Sequence, residues 1–352
     1  MADEDHLVAR ARTALLELLE NELAVVWSEA EAKLGAEVRG HRHPDAIYPH
    51  HLTTAKNELL AERKITATEG ETRGGSEIQT FSPADTKRRT TRIRQAAQRK
   101  RLLMARFRGW AHGPKNSHGQ IGPAGEAAVR QALIASTNFA LENSGGEVAE
   151  ILGVKLKGSL DAGGWLTLFG TNHVPKGTAC VALEVKNIRD FIYPNSHELY
   201  QVLDKAAHLQ RERPDALVHP VLVCRRVNHT LFFMAYELGF KVVQTQRQYI
   251  RGVEIDPLNE VRAELGFLDL TLLDPATPDP HLIKAFRQQI PKDADEYCER
   301  WRDSVLTHNL DRYFPLLRNK NLRLYERADI VNELRASTAA IDRGSDVRQG
   351  GW

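Results

Sequence analysis

The chain has 352 residues, 42% hydrophobic and 27% charged, with a formal net charge of +2. Its length exceeds one ordinary core and predicts two or three domains, and its composition is that of a globular protein rather than a disordered one. No run approaches the ~20 apolar residues that span a bilayer, and the acidic start MADEDHLVARAR lacks the basic flank and apolar segment of a secretory signal.

Three widely spaced cysteines, Cys180, Cys224 and Cys298, supply neither a disulfide framework nor paired zinc ligands. The expectation is a cytoplasmic protein without membrane attachment.

Residues 7–34 place apolar side chains at helical spacing, with Leu15, Leu19, Val26 and Trp27 on one face and Gly35 and Gly40 marking the exit. One long amphipathic helix, broken at most once, is predicted. Leu52 to Arg63 predicts a second helix, and Ile65 to Phe81 two strands around the turn-forming EGETRGGSE. His41, His43, His50 and His51 precede that second helix, but their spacing matches no zinc pattern, so they read as loop or surface histidines. A helix followed directly by a glycine-tipped hairpin resembles the end of a winged-helix domain, over about forty residues. The resemblance implies that Thr53, Thr54, Lys56 and Asn57 enter the major groove of duplex DNA. Winged helices that bind protein or dimerise leave another use open.

From Thr86 to Trp110 the chain reads TKRRTTRIRQAAQRKRLLMARFRGW. Lys87, Arg88, Arg89, Arg92, Arg94, Arg99, Lys100, Arg101, Arg106 and Arg108 occur there without one acid. Such a helix repels itself unless an anion is close. Phosphate backbone is the expected anion, with Arg88, Arg89, Arg92, Arg99 and Lys100 as contacts; the alternative is an acidic protein surface such as the N-terminal helix. The segment AHGPKNSHGQIGPAG, residues 111–125, is rich in glycine and proline and marks a domain boundary.

Beyond it the patterns predict a helix (Gly125 to Glu142), strands (about Gly153 to Asp161, Trp165 to Phe169 and Cys180 to Asn187), a helix (Ser196 to Arg211), a strand (His219 to Arg225), a helix (Thr230 to Leu238) and a strand (Phe240 to Gln246). This order predicts an α/β sandwich with a mixed sheet flanked by helices. Within VALEVKNI, residues 181–188, alternation sends Val181, Leu183 and Val185 to one face and Ala182, Glu184 and Lys186 to the other. A half-exposed strand with a surface ion pair would explain this blandly. Three other positions add to it: Glu126 in the first helix, Asp161 in KGSLDAGGW, and Gln201 with Lys205 on one face of the second helix. Each also has an ordinary role, at a helix dipole, in a turn or in solvent.

The succession of Glu126, G-x-x-D at Gly158 to Asp161, E-x-K at Glu184 to Lys186, and Q-x-x-x-K at Gln201 to Lys205 resembles the PD-(D/E)XK nucleases. The strand–helix–strand run HPVLVCRRVNHTLFFMAYELGFKVVQT extends the resemblance, which covers about residues 119 to 250; Leu160 stands where the family's name has proline. It implies a restriction-endonuclease-like core in which Asp161, Glu184 and the Val185 backbone carbonyl hold Mg²⁺, with Mn²⁺ as a substitute. These are the hard oxygen donors Mg²⁺ prefers. Glu126 would support a second ion or a water. Lys186 would act on the attacking water and the developing charge, and Gln201 and Lys205 would steady the site or touch phosphate. The implied activity is metal-dependent hydrolysis of double-stranded DNA by a bacterial restriction or anti-phage enzyme. Two-strand cutting would suit a homodimer, and an unidentified defence-system subunit is a further candidate partner. The alternatives are a non-enzymatic winged-helix regulator with a degenerate core, and a nuclease acting on RNA, single-stranded or branched DNA.

The remainder predicts an added strand in ELGFLDLTLLDP and several helices, with Trp301, Tyr313, Phe314 and Leu317 spaced as core residues. The expected organisation is a winged-helix-like domain over 1–85, a basic helix and linker over 86–118 and a nuclease domain over 119–275. A helical region over 276–338 and a disordered tail over 339–352 follow.

Overall fold

The structure, a computed structural model, describes residues 2–35, 47–71, 77–84, 89–113, 119–143, 146–169 and 174–342. His41, His43, the hairpin tip at 72–76, Lys87, Arg88 and residues 343–352 lie outside these. The chain is mixed α/β and divides into two compact units: residues 1–120 with 250–272, and residues 121–249 with 273–352. Two expected boundaries therefore move. Residues 250–272 belong with the N-terminal unit, and the helical region after 275 completes the core of the second. No described helix is long and apolar enough to cross a membrane.

In the first unit, α1 (Ala2–Glu22), β1 (Val25–Val26), α2 (Trp27–Leu34), α3 (Pro49–Ala61), β2 (Ile65–Glu71) and β3 (Glu77–Pro83) follow in order. The predicted long N-terminal helix is broken at Leu23, which adopts a positive φ of 63°. The β-branched pair Val25 and Val26 then leaves helical geometry to pair with Phe81 and Thr80. The sheet order is β1-β3-β2, all antiparallel. Leu15 and Leu19 from α1 close over it with Val25, Ala30, Leu59, Ile65 and Phe81.

The basic helix forms as α4 (Thr90–His112), and one of its basic residues, Lys100, turns into the core of the unit. Lys100 is buried, and its Nζ donates to Glu22 Oε2 (2.9 Å), Glu29 Oε1 (2.6 Å) and the Glu264 carbonyl (2.8 Å). Lys33 reaches the same Glu22 and Glu29 at 2.6 and 2.7 Å. Burial raises the Glu29 carboxyl's affinity for its proton, and Lys100 and Lys33 oppose that rise. A carboxylate this deep depends on its ammonium partners.

In the second unit, α5 (Gly122–Ser136) stops short of the predicted Glu142 because Thr137 adopts the left-handed conformation at φ 63°. β4 (Phe139–Leu141), β5 (Val148–Ile151), β6 (Val154–Leu160), β7 (Ala162–Phe169), β8 (Pro175–Lys186), α6 (Leu199–Glu212), β9 (Leu217–Cys224), α7 (Thr230–Leu238) and β10 (Lys241–Gln244) follow. Five strands form a mixed sheet in the order β10-β9-β8-β7-β4, with β8, β9 and β10 parallel and β7 and β4 antiparallel. Strands β5 and β6 form a separate hairpin.

Strand β8 lies at the centre. Its Val181, Leu183 and Val185 enter one apolar layer with Ala124, Ala128 and Leu133 of α5 and with Phe286 and Ile290. Its Cys180 and Ala182 enter the opposite layer with Val202, Leu203 and Ala206 of α6 and with Trp301 and Phe314, whose rings stack 5.8 Å apart. Tyr313 and Leu317 join that layer, as their spacing predicted. The last helix, Leu324–Asp342, runs into the stretch expected to be a disordered tail.

Because Lys100 neutralises a buried carboxylate while Arg92 is exposed, Lys100→Met is expected to lower unfolding free energy by about 3 kcal/mol in urea titrations. Arg92→Ala is expected to stay within about 0.5 kcal/mol of the parent.

Candidate active site

The antiparallel ladder between β7 and β8 ends at Ala162 opposite Leu183, whereas the parallel ladder between β8 and β9 continues to Lys186 opposite Cys224. One edge of β8 is thus left without a strand over its last residues. Asp161, the residue just before β7, takes up the next amide there: Val185 N–H donates to Asp161 Oδ2 at 2.6 Å. The N–H and C=O of one strand residue point to the same side, so the Val185 carbonyl is directed to that edge as well.

Glu184 is 3% exposed, which removes the half-exposed strand with a surface ion pair. Its Oε1 accepts from Lys186 Nζ at 2.9 Å and its Oε2 from Lys205 Nζ at 2.9 Å. Helix α6 delivers Lys205 because its Leu199, Val202, Leu203, Ala206 and Leu209 are buried, fixing the rotation of the helix against the sheet. Lys205 Nζ also donates to the Ser159 carbonyl. Gly158 precedes that carbonyl at φ 102°, a conformation that side-chain-bearing residues avoid, so the G-x-x-D spacing has a backbone reason. Arg318 braces the same turn from the helical C-terminal region, donating to Asp204 Oδ2 (2.8 Å) and the Lys157 carbonyl (3.3 Å).

Burial first, and the neighbouring Glu184 charge second, push the Asp161 carboxyl up to about 6. Lys186 and the Val185 N–H oppose the rise, and Glu126 adds to it through its charge. Among the described residues Asp161 Oδ1 accepts no hydrogen bond. An open, proton-hungry carboxylate beside a second carboxylate and a strand-end carbonyl fits a hard divalent cation, which offers positive charge to several oxygens at once.

The chain matches no protein-family model, no curated protein and no solved structure. The chemistry of the site therefore follows from its own residues.

Of the positions expected to act together, Asp161, Glu184, Val185, Lys186 and Lys205 converge. Glu126 makes no hydrogen bond with any of them, and among the described residues no three His, Cys, Asp or Glu side chains gather closely enough to hold a metal. It lies on α5, on the opposite face of the sheet from α6, and raises the Asp161 carboxyl through its charge. Gln201 shares the α6 face with Lys205, is half-buried, and its side chain makes no hydrogen bond with the described residues.

The expected nucleic-acid contacts of the first unit divide. On α3, Thr54 and Asn57 are exposed and Thr53 half-buried, and the Thr54 hydroxyl donates back to the His50 carbonyl. Lys56 is corrected: it packs inward, its Nζ 4.3 Å from the Trp27 ring centre, and burial lowers its proton affinity. On α4, Lys100 is likewise corrected to a buried structural role. Arg89 pairs with Glu20, and Arg99 with Glu260 at 2.6 Å. Arg101 donates to the Ile78 and Thr68 carbonyls, and Arg106 pairs with Glu260. Exposed Arg92 and Arg94 make no ion pair or hydrogen bond with the described residues. Arg89, Arg99, Lys100 and Arg106 thus meet acids, of which Glu20 and Glu22 lie on the N-terminal helix weighed as an alternative, while the partners at Glu260 and Glu264 are too distant in sequence to have been foreseen.

Sequence reasoning missed Ser159, Arg318 and Asn187. The first two act through backbone groups or across the C-terminal region, and Asn187 gave only one weak signal, a polar residue directly after an apolar strand.

The raised Asp161 fixes a pH dependence. The folded protein binds this proton more tightly than the unfolded chain, so stability falls as pH rises from 3.8 to about 6 and stays lower above it. In metal-free buffer at about pH 7.5, Asp161→Asn is expected to be more stable than the parent by on the order of 2 kcal/mol, the gain vanishing near about pH 4. Paired urea titrations at both pH values check this; a gain independent of pH would contradict it.

Proposed function

We propose that the second unit is a divalent-cation-dependent phosphodiesterase of the PD-(D/E)XK kind, cutting DNA, and that the first unit is a winged-helix-like DNA reader. One observation carries the reading: at the open end of the β7–β8 pair Asp161 takes the Val185 N–H within electrostatic reach of Glu184, to which Lys186 is hydrogen-bonded. The mixed sheet with β8 at its centre, and α5 and α6 on opposite faces, supports it. For the first unit, support comes from the element order α1-β1-α2-α3-β2-β3 and the sheet order β1-β3-β2. Thr54, Asn57, Arg92 and Arg94 are the exposed candidates for DNA contact in that unit.

A phosphodiester resists hydrolysis because its charge repels an oxygen nucleophile and the departing alkoxide is a poor leaving group. A divalent cation held by Asp161, Glu184 and the Val185 carbonyl would neutralise the phosphate and acidify a water. Asp161 and Glu184 would fix where that positive charge sits. Lys186, as an ammonium anchored on Glu184 Oε1, is placed to hold the attacking water and to donate to the phosphate oxygen on which charge builds. Water adds to phosphorus, one P–O ester bond breaks, and a proton from the water ends on the departing oxygen. Lys205 holds Glu184 from behind through Oε2, so that the carboxylate does not swing when substrate charge arrives. Cutting both strands would take two such sites, which a symmetric homodimer supplies.

A second reading, a nuclease-like fold in which the charges are only structural, is favoured by the fact that both Glu184 oxygens already have ammonium partners. Cleavage of plasmid and of matched duplex, single-stranded and RNA ligands, with Mg²⁺ or EDTA, separates the two. Wild type is expected to cut duplex DNA only with Mg²⁺, and folded Asp161→Ala and Lys186→Ala to lose at least about 100-fold in rate. Equal cutting by all three would remove these residues from the reaction.

A further inference from the structure

Asn187 follows Lys186 directly and is buried. Its amide is fully used: Nδ2 donates to the Ile121 carbonyl (2.6 Å) and the Tyr249 carbonyl (2.7 Å), and Oδ1 accepts from Tyr249 N–H (3.0 Å). Its own backbone carbonyl accepts from Gln248 Nε2 at 3.2 Å. Two donors and one acceptor in this arrangement suit only a short carboxamide. Aspartate would face two carbonyls with a charge, and alanine or serine would leave buried backbone groups without partners.

What the amide grips matters for the site. Past Leu183 the catalytic strand has β9 on one side only, so Lys186 has half the main-chain support of an interior strand residue. Asn187 supplies the missing support one residue further on. Ile121, its first partner, caps α5, the helix that carries Glu126. Gly125, beside Glu126, packs so closely that an added Cβ would lie 2.4 Å from Asn187 Cβ. Ile121 is also the first residue of this unit, and Tyr249 its last before the chain crosses to residue 250.

We propose that Asn187 is a positioning residue for the reaction proposed above, on which this inference rests. It acts through Lys186 and Glu126: one buried amide fixes the end of the E-x-K strand and the start of α5 together, and so sets where the Lys186 ammonium stands relative to the two carboxylates. It touches neither substrate nor cation.

The test uses the full chain, comparing wild type, Asn187→Ala, Asn187→Ser and Gly125→Ala, which disturbs the amide without removing it. The measurements are thermal stability, kcat and KM on duplex DNA, Mg²⁺ affinity by calorimetry, and the rate of trace acetylation of Lys186 relative to Lys205. In every variant that keeps a cooperative fold, kcat is expected to fall about 100-fold, with KM and Mg²⁺ affinity within about twofold of wild type and the acetylation ratio changed several-fold. A general loss of structure would instead move all of these together. A folded variant with wild-type kcat and an unchanged acetylation ratio overturns the proposal while leaving the nuclease reading intact. If wild type cuts nothing with any divalent ion, the nuclease reading fails. The acetylation ratio then decides whether Asn187 holds Lys186: a changed ratio upholds that role, and an unchanged one removes it.

Discussion

The second unit turns on a carboxylate held between two ammoniums. Glu184 lies at the end of the central strand, too deep to be solvated, and each of its oxygens is bound by a lysine. A charge in that position is tolerable only with such partners. Around it the rest is constrained: Lys186 must lie on the same face of β8, Lys205 must come from the α6 face that packs on the sheet, and Gly158 must let the chain turn so that the Ser159 carbonyl shares Lys205. Asp161 then completes the strand edge by accepting the amide that β7 no longer reaches, and is pushed up to about 6 by the burial and charge it meets there.

That balance leaves the site with more negative charge than its lysines neutralise when Glu126 is counted, and with hard oxygens converging on one strand edge. Phosphodiester hydrolysis needs that combination: a seat for a cation, an ammonium beside it, and a scaffold that does not relax when a polyanion approaches.

The sequence made the core of this arrangement legible because it is local and periodic. Alternation in VALEVKNI placed Glu184 and Lys186 on one face, helical spacing joined Gln201 to Lys205, and the glycine of G-x-x-D marked a real backbone need. What it hid is tertiary. Lys100 and Lys56 look like their neighbours on paper, and only tertiary partners set them apart: Glu22 and Glu29 hold Lys100 in the core, and the Trp27 ring takes the half-buried Lys56. The break after Glu22 was masked by strong helical periodicity on both sides of two valines. Residues 250–272 gave no sign that they belong with the N-terminal unit, since the acids that reveal it, Glu260 and Glu264, matter only through arginines and a lysine about 160 positions earlier. Asn187 carries no motif at all, because its partners are backbone groups.

The central claim is that Asp161 and Glu184 form one cation seat, and calorimetric titration of Mg²⁺ into the metal-free protein tests it most directly. Run at pH 6 in two buffers of different ionisation enthalpy, wild type is expected to bind one ion per chain and to release part of a proton, the one Asp161 holds near its midpoint of about 6. The release should disappear at about pH 8, and binding should be lost in Glu184→Gln and weakened in Asp161→Asn. Binding that is absent in wild type, or equal in all three proteins and free of proton release, would contradict a cation seat at the end of this strand pair.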